Sequence, residues 1–419
     1  MPCAAPSALS RGLLFGLAIA MALLSANVRA QNPAQLAGQT NVKILSVRNE
    51  GLLFTDNNSG VSGVDVASSI PVGHRVLWLF GDVFLLGPVE APIQNYVGNV
   101  SNCGLWVPLA PGATALHHYQ FICDAATQLA RQLIPLENGE GNETRLWPSG
   151  GWYDAQKHRL YVYYSINKVV GSGAFGFKVE GYGLAYASVT SQPLQFKRLQ
   201  GQSRGPQKIE RFSGAGPSPH IKSQGFLWWP LKADALPLNS GATFGCTVID
   251  DPTDPYLYIV GMEDRQGHHY GKLARVLKSH IEDFQAYEYF AGYGENPQKP
   301  HWSKRVQDAA DVEGLKDFPN ELSIAYNAYL GAYLAVYSEG VFSQRALLCE
   351  ASNPWGPYRP IGEISTPHRA FENAFCYACK EHPELAEQNG RIIYVTYVDS
   401  ERYWPQLLKV TLQKQTNAP

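Results

Sequence analysis

Three carboxylates stand where apolar stretches begin or end. Asp65 lies inside Gly63-Val64-Asp65-Val66-Ala67, Asp82 closes Val76-Leu77-Trp78-Leu79-Phe80-Gly81-Asp82, and Glu321 leads into Leu322-Ser323-Ile324-Ala325-Tyr326. A carboxylate carried into a β core is costly unless it is paired or put to use. Two or three acids at an aromatic-lined concavity suit glycosidic bond hydrolysis. One is held protonated for the leaving oxygen, and another is ionised to activate water or attack carbon. Their separation sets the outcome, about 5 Å for retention and roughly 6.5–9.5 Å for inversion. Each acid also has a plainer reading. Gly81-Asp82 is a turn signal, Asp65 follows a Gly/Ser loop whose backbone it can cap, and Glu321 can pair with an Arg or Lys.

Elements of one kind must position these acids. The stretch ending at Asp82 is a strand apolar on both faces, and its design recurs at Arg159–Ser165, Tyr256–Asp264, Ala332–Glu339 and Arg391–Asp399. Each follows another strand-like segment across a turn and leads into one or two more. Five such units predict an all-β fold, a single five-bladed β-propeller of four-stranded antiparallel blades. A two-sheet sandwich is the alternative, weakened by the five-fold repeat. Asn41–Val47 precedes the first unit and is expected to pair with the last blade and close the ring. The inner strands start at the mouth of a central funnel. That brings together Asp65, Trp147–Ser149, Gly245, Asn320-Glu321 and Asn373, with Asp82 across the hairpin from Asp65. Asp65, Asp82 and Glu321 are the candidate catalytic residues, and Trp147, Trp152, Asn320 and Asn373 the candidate substrate-binding ones. Trp147 and Trp152 can stack on sugar rings or pack. Trp228, Trp229 and Trp302 fall in polar or Pro-rich segments, and Trp78 and Trp355 are expected in the core.

Residues 1–30 have the pattern of a secretory signal peptide, with an apolar Gly12–Leu24 run too short to span a bilayer and small residues at Val28-Arg29-Ala30. The propeller then occupies 31–419. Losing two Arg and no acid takes the formal charge from −2 to about −4, and no Lys/Arg stripe suits a polyanion, so nucleic acid is not an expected partner. Of the six cysteines beyond the leader, Cys103 and Cys123 are the expected disulfide. Cys376-x-x-Cys379 has no second pair with which to bind zinc, and no metal or cofactor is expected. Helix is expected to be minor, with candidates at Ala125–Leu133 and Ser279–Tyr287. Gly171–Gly176 fits G-x-G-x-x-G but opens no helix, and reads as a hairpin loop. His117-His118 and His268-His269 read as loop residues, and His220 and His382 as surface or packing residues. Asn57, Asn99 and Asn142 are sequons.

Trp78–Asp82 preceded by Asp65, with Asn320–Asn327 and Ser352-Asn353-Pro354-Trp355-Gly356-Pro357-Tyr358, resembles the family of domain of unknown function 4185 from about Gly51 to Leu412. Part of that family is grouped as glycoside hydrolase family 183, the endo-D-arabinanases. The resemblance implies a propeller glycosidase acting on cell-wall D-arabinan, with Asp65 and Asp82 as an inverting acid and base. The chain departs from the pattern at Val83, where Thr is common, and in a long insertion, Pro206 to Asn239. The expectation is therefore a secreted or periplasmic monomeric glycoside hydrolase whose partner is a polysaccharide or oligosaccharide, membrane-free once the leader is cleaved. A non-catalytic carbohydrate-binding propeller is the alternative.

Overall fold

The computed structural model of the protein describes residues 42–86, 96–137, 140–141, 143–171, 175–201, 226–231, 241–296, 298–340, 344–365 and 374–414. The expected leader, Asn142, His220 and Asn373 lie outside them. Five antiparallel sheets form the five blades. Blade one holds β2 (Val61–Val72), β3 (Arg75–Leu86), β4 (Tyr96–Pro108) and β5 (Gln120–Phe121). Blade two holds β6 (Thr144–Asp154), β7 (Arg159–Val169) and β8 (Phe177–Ser188), with β9 (Lys197–Arg198) and β10 (Trp229–Pro230) both pairing with β8. Blade three runs β11 (Thr243–Asp250), β12 (Tyr256–Arg265), β13 (His268–Leu277), β14 (Glu288–Phe290) and β15 (Trp302–Ser303). Blade four runs β16 (Leu322–Asn327), β17 (Ala332–Ser338), β18 (Arg345–Ala351) and β19 (Arg359–Ser365). Blade five is β20 (Cys376–Glu381), β21 (Ile392–Asp399) and β22 (Pro405–Lys414), completed by β1 (Val42–Leu52) from the start of the chain. Blades two and three thus each add a short strand to the expected four.

The double-faced apolar strands are explained by where their residues go. Along β3, Val76, Trp78 and Phe80 enter the core shared with blade five, while Leu77 and Leu79 enter the core shared with blade two. Tyr161 and Tyr163 face blade three, whereas Leu160, Val162 and Tyr164 face blade one. Strands β12, β17 and β21 divide their side chains in the same way. Period-two alternation sends successive residues to opposite faces, and in a ring both faces meet a neighbouring blade. Ring closure comes from β1, which pairs antiparallel with β22 from Val42↔Lys414 to Leu52↔Gln406.

Four expectations need correction. The described residues contain no α-helix. Residues 125–133 form a turn in which Asp124 accepts from the Ala126 and Thr127 N–H groups and Gln128 takes φ +58°. Residues 279–287 hold only 3-10 turns, broken by extended Asp283, whose side chain accepts from Gln285 N–H. Cys103 and Cys123 are free thiols. The β4–β5 ladder stops at Phe121. Beyond it Cys123 bridges Ala130 and donates to the Phe121 carbonyl, while Cys103 stays in the core. Trp228 and Trp229 are core residues between blades two and three. His268 and His269 open β13 rather than lying in a loop, and each faces an aspartate. Trp78, by contrast, is fully buried as expected, stacked 4.3 Å from the buried His382 ring. Trp355 packs against the core between blades three and four.

Candidate functional site

The inner strands are irregular at the funnel end. Pairing shifts between Asp65 and Ser68 in β2, between Pro148 and Gly151 in β6, between Phe244 and Thr247 in β11, and between Tyr377 and Lys380 in β20. A bulge leaves extra residues unpaired and re-aims their side chains. Positive φ accompanies it at Val66 (56°), Asp82 (35°), Asn320 (76°) and Ala378 (55°), none of them glycine. Such backbone costs on the order of 1–3 kcal/mol each and persists where the surroundings impose it, often at functional sites. Gly81 lets an indole approach, since a Cβ there would meet Trp147 at 3.3 Å.

These distortions gather the three acids at one mouth, where Asp65 feels the charge of Asp82, and Glu321 that of Asp65. Asp65 accepts from Val66 N–H at 2.6 Å and from the hydroxyls of Tyr377 and Tyr403. Burial still outweighs these donors and, with the Asp82 charge, pushes Asp65 up to about 7. Burial also raises Asp82, opposed by the Trp147 indole and by the Arg145 guanidinium, whose Nε lies 3.4 Å from Oδ1. The indole faces Asp82 without closing a hydrogen bond of ordinary geometry. The Asp82 side chain keeps 25 % of its accessible surface, although its Oδ1 is buried. Burial, and then the Asp65 charge, raises Glu321. Lys380, fully enclosed, donates to Ser68 Oγ at 2.7 Å. Its burial lowers it against the pull of Glu321, Cys246 and Asp65.

The structure brings Asp65, Asp82, Glu321, Trp147 and Asn320 together. Asn320 Oδ1 accepts from the Tyr182 hydroxyl and, at 3.5 Å, from Cys246 Sγ, which braces the residue preceding Glu321. Trp152 is not part of this group. It lies at the far end of β6, stacked on Tyr161 and donating to Asp250 at 2.9 Å. Sequence reasoning missed Arg145, Tyr377, Lys380 and Tyr403. Arg145 lies two residues before a noted tryptophan, and Tyr377 between the two noted cysteines. Nothing in the local sequence separates Lys380 from a surface lysine. Two hollows lie away from the mouth. One of about 790 Å³ beside the outer strands of blade one includes Phe54, Tyr119, Phe121 and Cys123. The other, about 380 Å³, lies around Lys157, Arg159 and Glu282.

Val170 and Gly171 N–H both donate to the Gly176 carbonyl and a strand follows rather than a helix, while residues 172–174 of the glycine-rich stretch lie outside the described residues. Cys376 and Cys379 are buried in β20. No group of three or more His, Cys, Asp or Glu side chains among the described residues is arranged to hold a metal ion. No helix among them is long and apolar enough to cross a membrane.

Among solved structures the fold is similar to that of a Bacteroides ovatus ATCC 8483 protein whose hydrolase assignment is itself provisional. That match has a TM-score of 0.54 and 13% identity, and covers 92% of this chain and 97% of the other. At this identity the likeness is one of fold. Weaker matches include a family 43 β-xylosidase/α-arabinofuranosidase from a compost metagenome (TM-score 0.40, 12% identity, 88% and 95% covered). Another is a Coprinopsis cinerea family 62 α-L-arabinofuranosidase catalytic domain (0.41, 8%, 88% and 98%). No curated protein matches the sequence. The profile of the domain of unknown function DUF4185 matches residues 51–409, and the chain belongs to that family.

Proposed function

We propose that the protein is an exported glycoside hydrolase acting on a neutral polysaccharide, with Asp65 as general acid and Asp82 as general base. One observation carries the reading. Two carboxylates near enough to sense each other lie at one mouth in contrasting surroundings. Asp65, pushed up to about 7 by burial, holds a proton near neutral pH for the departing glycosidic oxygen. Asp82 has a guanidinium 3.4 Å away, which works against the rise that burial imposes, a counter-charge that Asp65 lacks. In the proposed step Asp65 gives its proton to the leaving oxygen as the C–O bond breaks. Water adds to the anomeric carbon and passes a proton to Asp82, and solvent exchange resets both groups. Tyr377 and Tyr403, both raised well above the ordinary phenol range by burial, remain neutral donors that fix the Asp65 carboxyl.

The resemblance to endo-D-arabinanases makes D-arabinan the first substrate to test and inversion the expected outcome. Asp65→Asn and Asp82→Asn should each lower turnover by about 10²–10⁴-fold, with thermal midpoints nearly unchanged. The measurement is release of reducing ends from a panel of furanose and pyranose polysaccharides. Activity that survives both substitutions removes the assignment. A binding-only propeller is the second reading, favoured by the three donors that already engage Asp65. It predicts polysaccharide binding without new reducing ends, indifferent to both substitutions.

A further inference from the structure

Above the acids, two phenylalanines from blades that are not neighbours meet. Phe175 lies just before β8 in blade two, and Phe375 just before β20 in blade five. Their rings stack with centroids 5.8 Å apart and planes 26° from parallel. Blade one, which supplies Asp65 and Asp82, lies between those two blades in the ring. The contact therefore spans the mouth on the side of the acids. Phe375 is anchored, because its N–H donates to Ser400 Oγ and its carbonyl accepts from Ser400 N–H. Its ring also packs 5.4 Å from Tyr377, whose hydroxyl holds Asp65. Phe175 remains 54 % exposed, and Val169 and Val170 beside it are exposed as well. At the same mouth, Phe177 meets Trp147 edge-on at 4.7 Å, and Phe84 meets Tyr403 at 5.1 Å.

We infer that Phe175 and Phe375 form an aromatic clasp that binds a sugar ring of a neutral glycan, one residue or more away from the ring being cleaved. An apolar rim this exposed marks a binding surface, and a phenyl face without a polar tip suits the C–H face of a sugar rather than its hydroxyls. A formal net charge of −2 with no Lys/Arg stripe offers uronates and sulfated sugars no attracting field, so a neutral glycan fits. Phe375 meets Asp65 only through Tyr377, so the clasp touches the glycan beside the ring being cleaved and acts on chains that extend past that ring.

The inference rests on the glycosidase reading, and the test separates the two. Neutral oligosaccharides of increasing length from arabinan, xylan and glucan are titrated calorimetrically into the Asp82→Asn protein. The same is done with Phe175→Ala and Phe175→Trp added, and with oligogalacturonates. The expected result is an affinity that rises with chain length and falls about five- to tenfold for the longer oligomers in Phe175→Ala, the size of one aromatic stacking contact. Monosaccharide binding and thermal midpoint should not move, and Phe175→Trp should restore the affinity. Oligosaccharide binding that is indifferent to Phe175→Ala overturns the clasp and leaves the hydrolase standing. Equal affinity for oligogalacturonates overturns the neutral class. Failure of every saccharide to bind any form overturns both readings.

Discussion

The chemistry of the mouth depends on how protons are shared among a few enclosed groups. Lys380 interacts through its charge with both Glu321 and Asp65, and its removal is informative because the lysine acts on these proposed catalytic acids only through electrostatics. In Lys380→Met the ammonium that favours the ionised form of Glu321 is gone, so Glu321 and Asp65 should hold their protons to higher pH. The pH–rate profile is expected to shift towards alkaline pH and kcat to fall, with KM less affected. A uniform loss of activity with no displacement of the profile would assign Lys380 a structural role alone. The buried orphan it leaves behind, Ser68 Oγ, is small enough that folding should survive, which a thermal scan checks.

At the level of elements, the mouth is produced by bulges, and the reverse end of β20 carries a second group of acids. Glu381 and Glu384 each have a buried carboxyl oxygen with no hydrogen-bond partner, and burial pushes them up to about 8 and about 7. His382 between them is held neutral, pushed down to about 3 by burial and by the Lys380 charge. An acid raised in the folded state binds more protons there than in the unfolded chain. The stability it contributes is therefore full below its ordinary value near 4.5 and is lost as pH rises through 7–8. His382 has the opposite sign and loses stability as pH falls from about 6.5 towards 3. Stability should thus be greatest in mildly acid solution. Glu381→Gln should raise the melting temperature at pH 8 while changing it little at pH 5. An equal shift at both values would mean that Glu381 is not protonated in the fold. Glu381 ends β20 and Glu384 lies in the 3-10 turn that follows, and their sequence signal, Glu381-His382-Pro383-Glu384, resembles any polar turn.

For the whole molecule, closure is the decisive feature. Each of the five cores lies between two blades, so removing one interface exposes apolar surface on both sides. Strand β1 joins the start of the chain to its last blade through an eleven-residue strand. Deleting residues 42–52 would leave β22 as an open edge ready to pair with other chains. The truncated protein is expected to melt several degrees lower with a broader transition and to scatter light on warming. A sharp transition at the original temperature would show that the ring holds without its closing strand. The ring also explains which expectations succeeded. Five strands apolar on both faces imply five two-sided sheets, and stacking such sheets with no face left open leads to a propeller.

The amino-acid sequence alone determined the alternation, the repeat and the acids at strand ends, because period-two patterning and turn chemistry are local properties written in neighbouring residues. Asp65, Asp82 and Glu321 were legible for that reason, and so was β1 as the strand that completes the ring. Tertiary structure alone decided that Trp152 falls at the opposite end of its strand, that Cys103 and Cys123 form no disulfide, and that Lys380, Tyr377, Tyr403 and Arg145 converge on the acids. Bulges shift register by single residues, and burial arises from chain segments hundreds of positions apart. Which side chain meets which carboxylate, and at what proton affinity, is therefore settled only when the blades close.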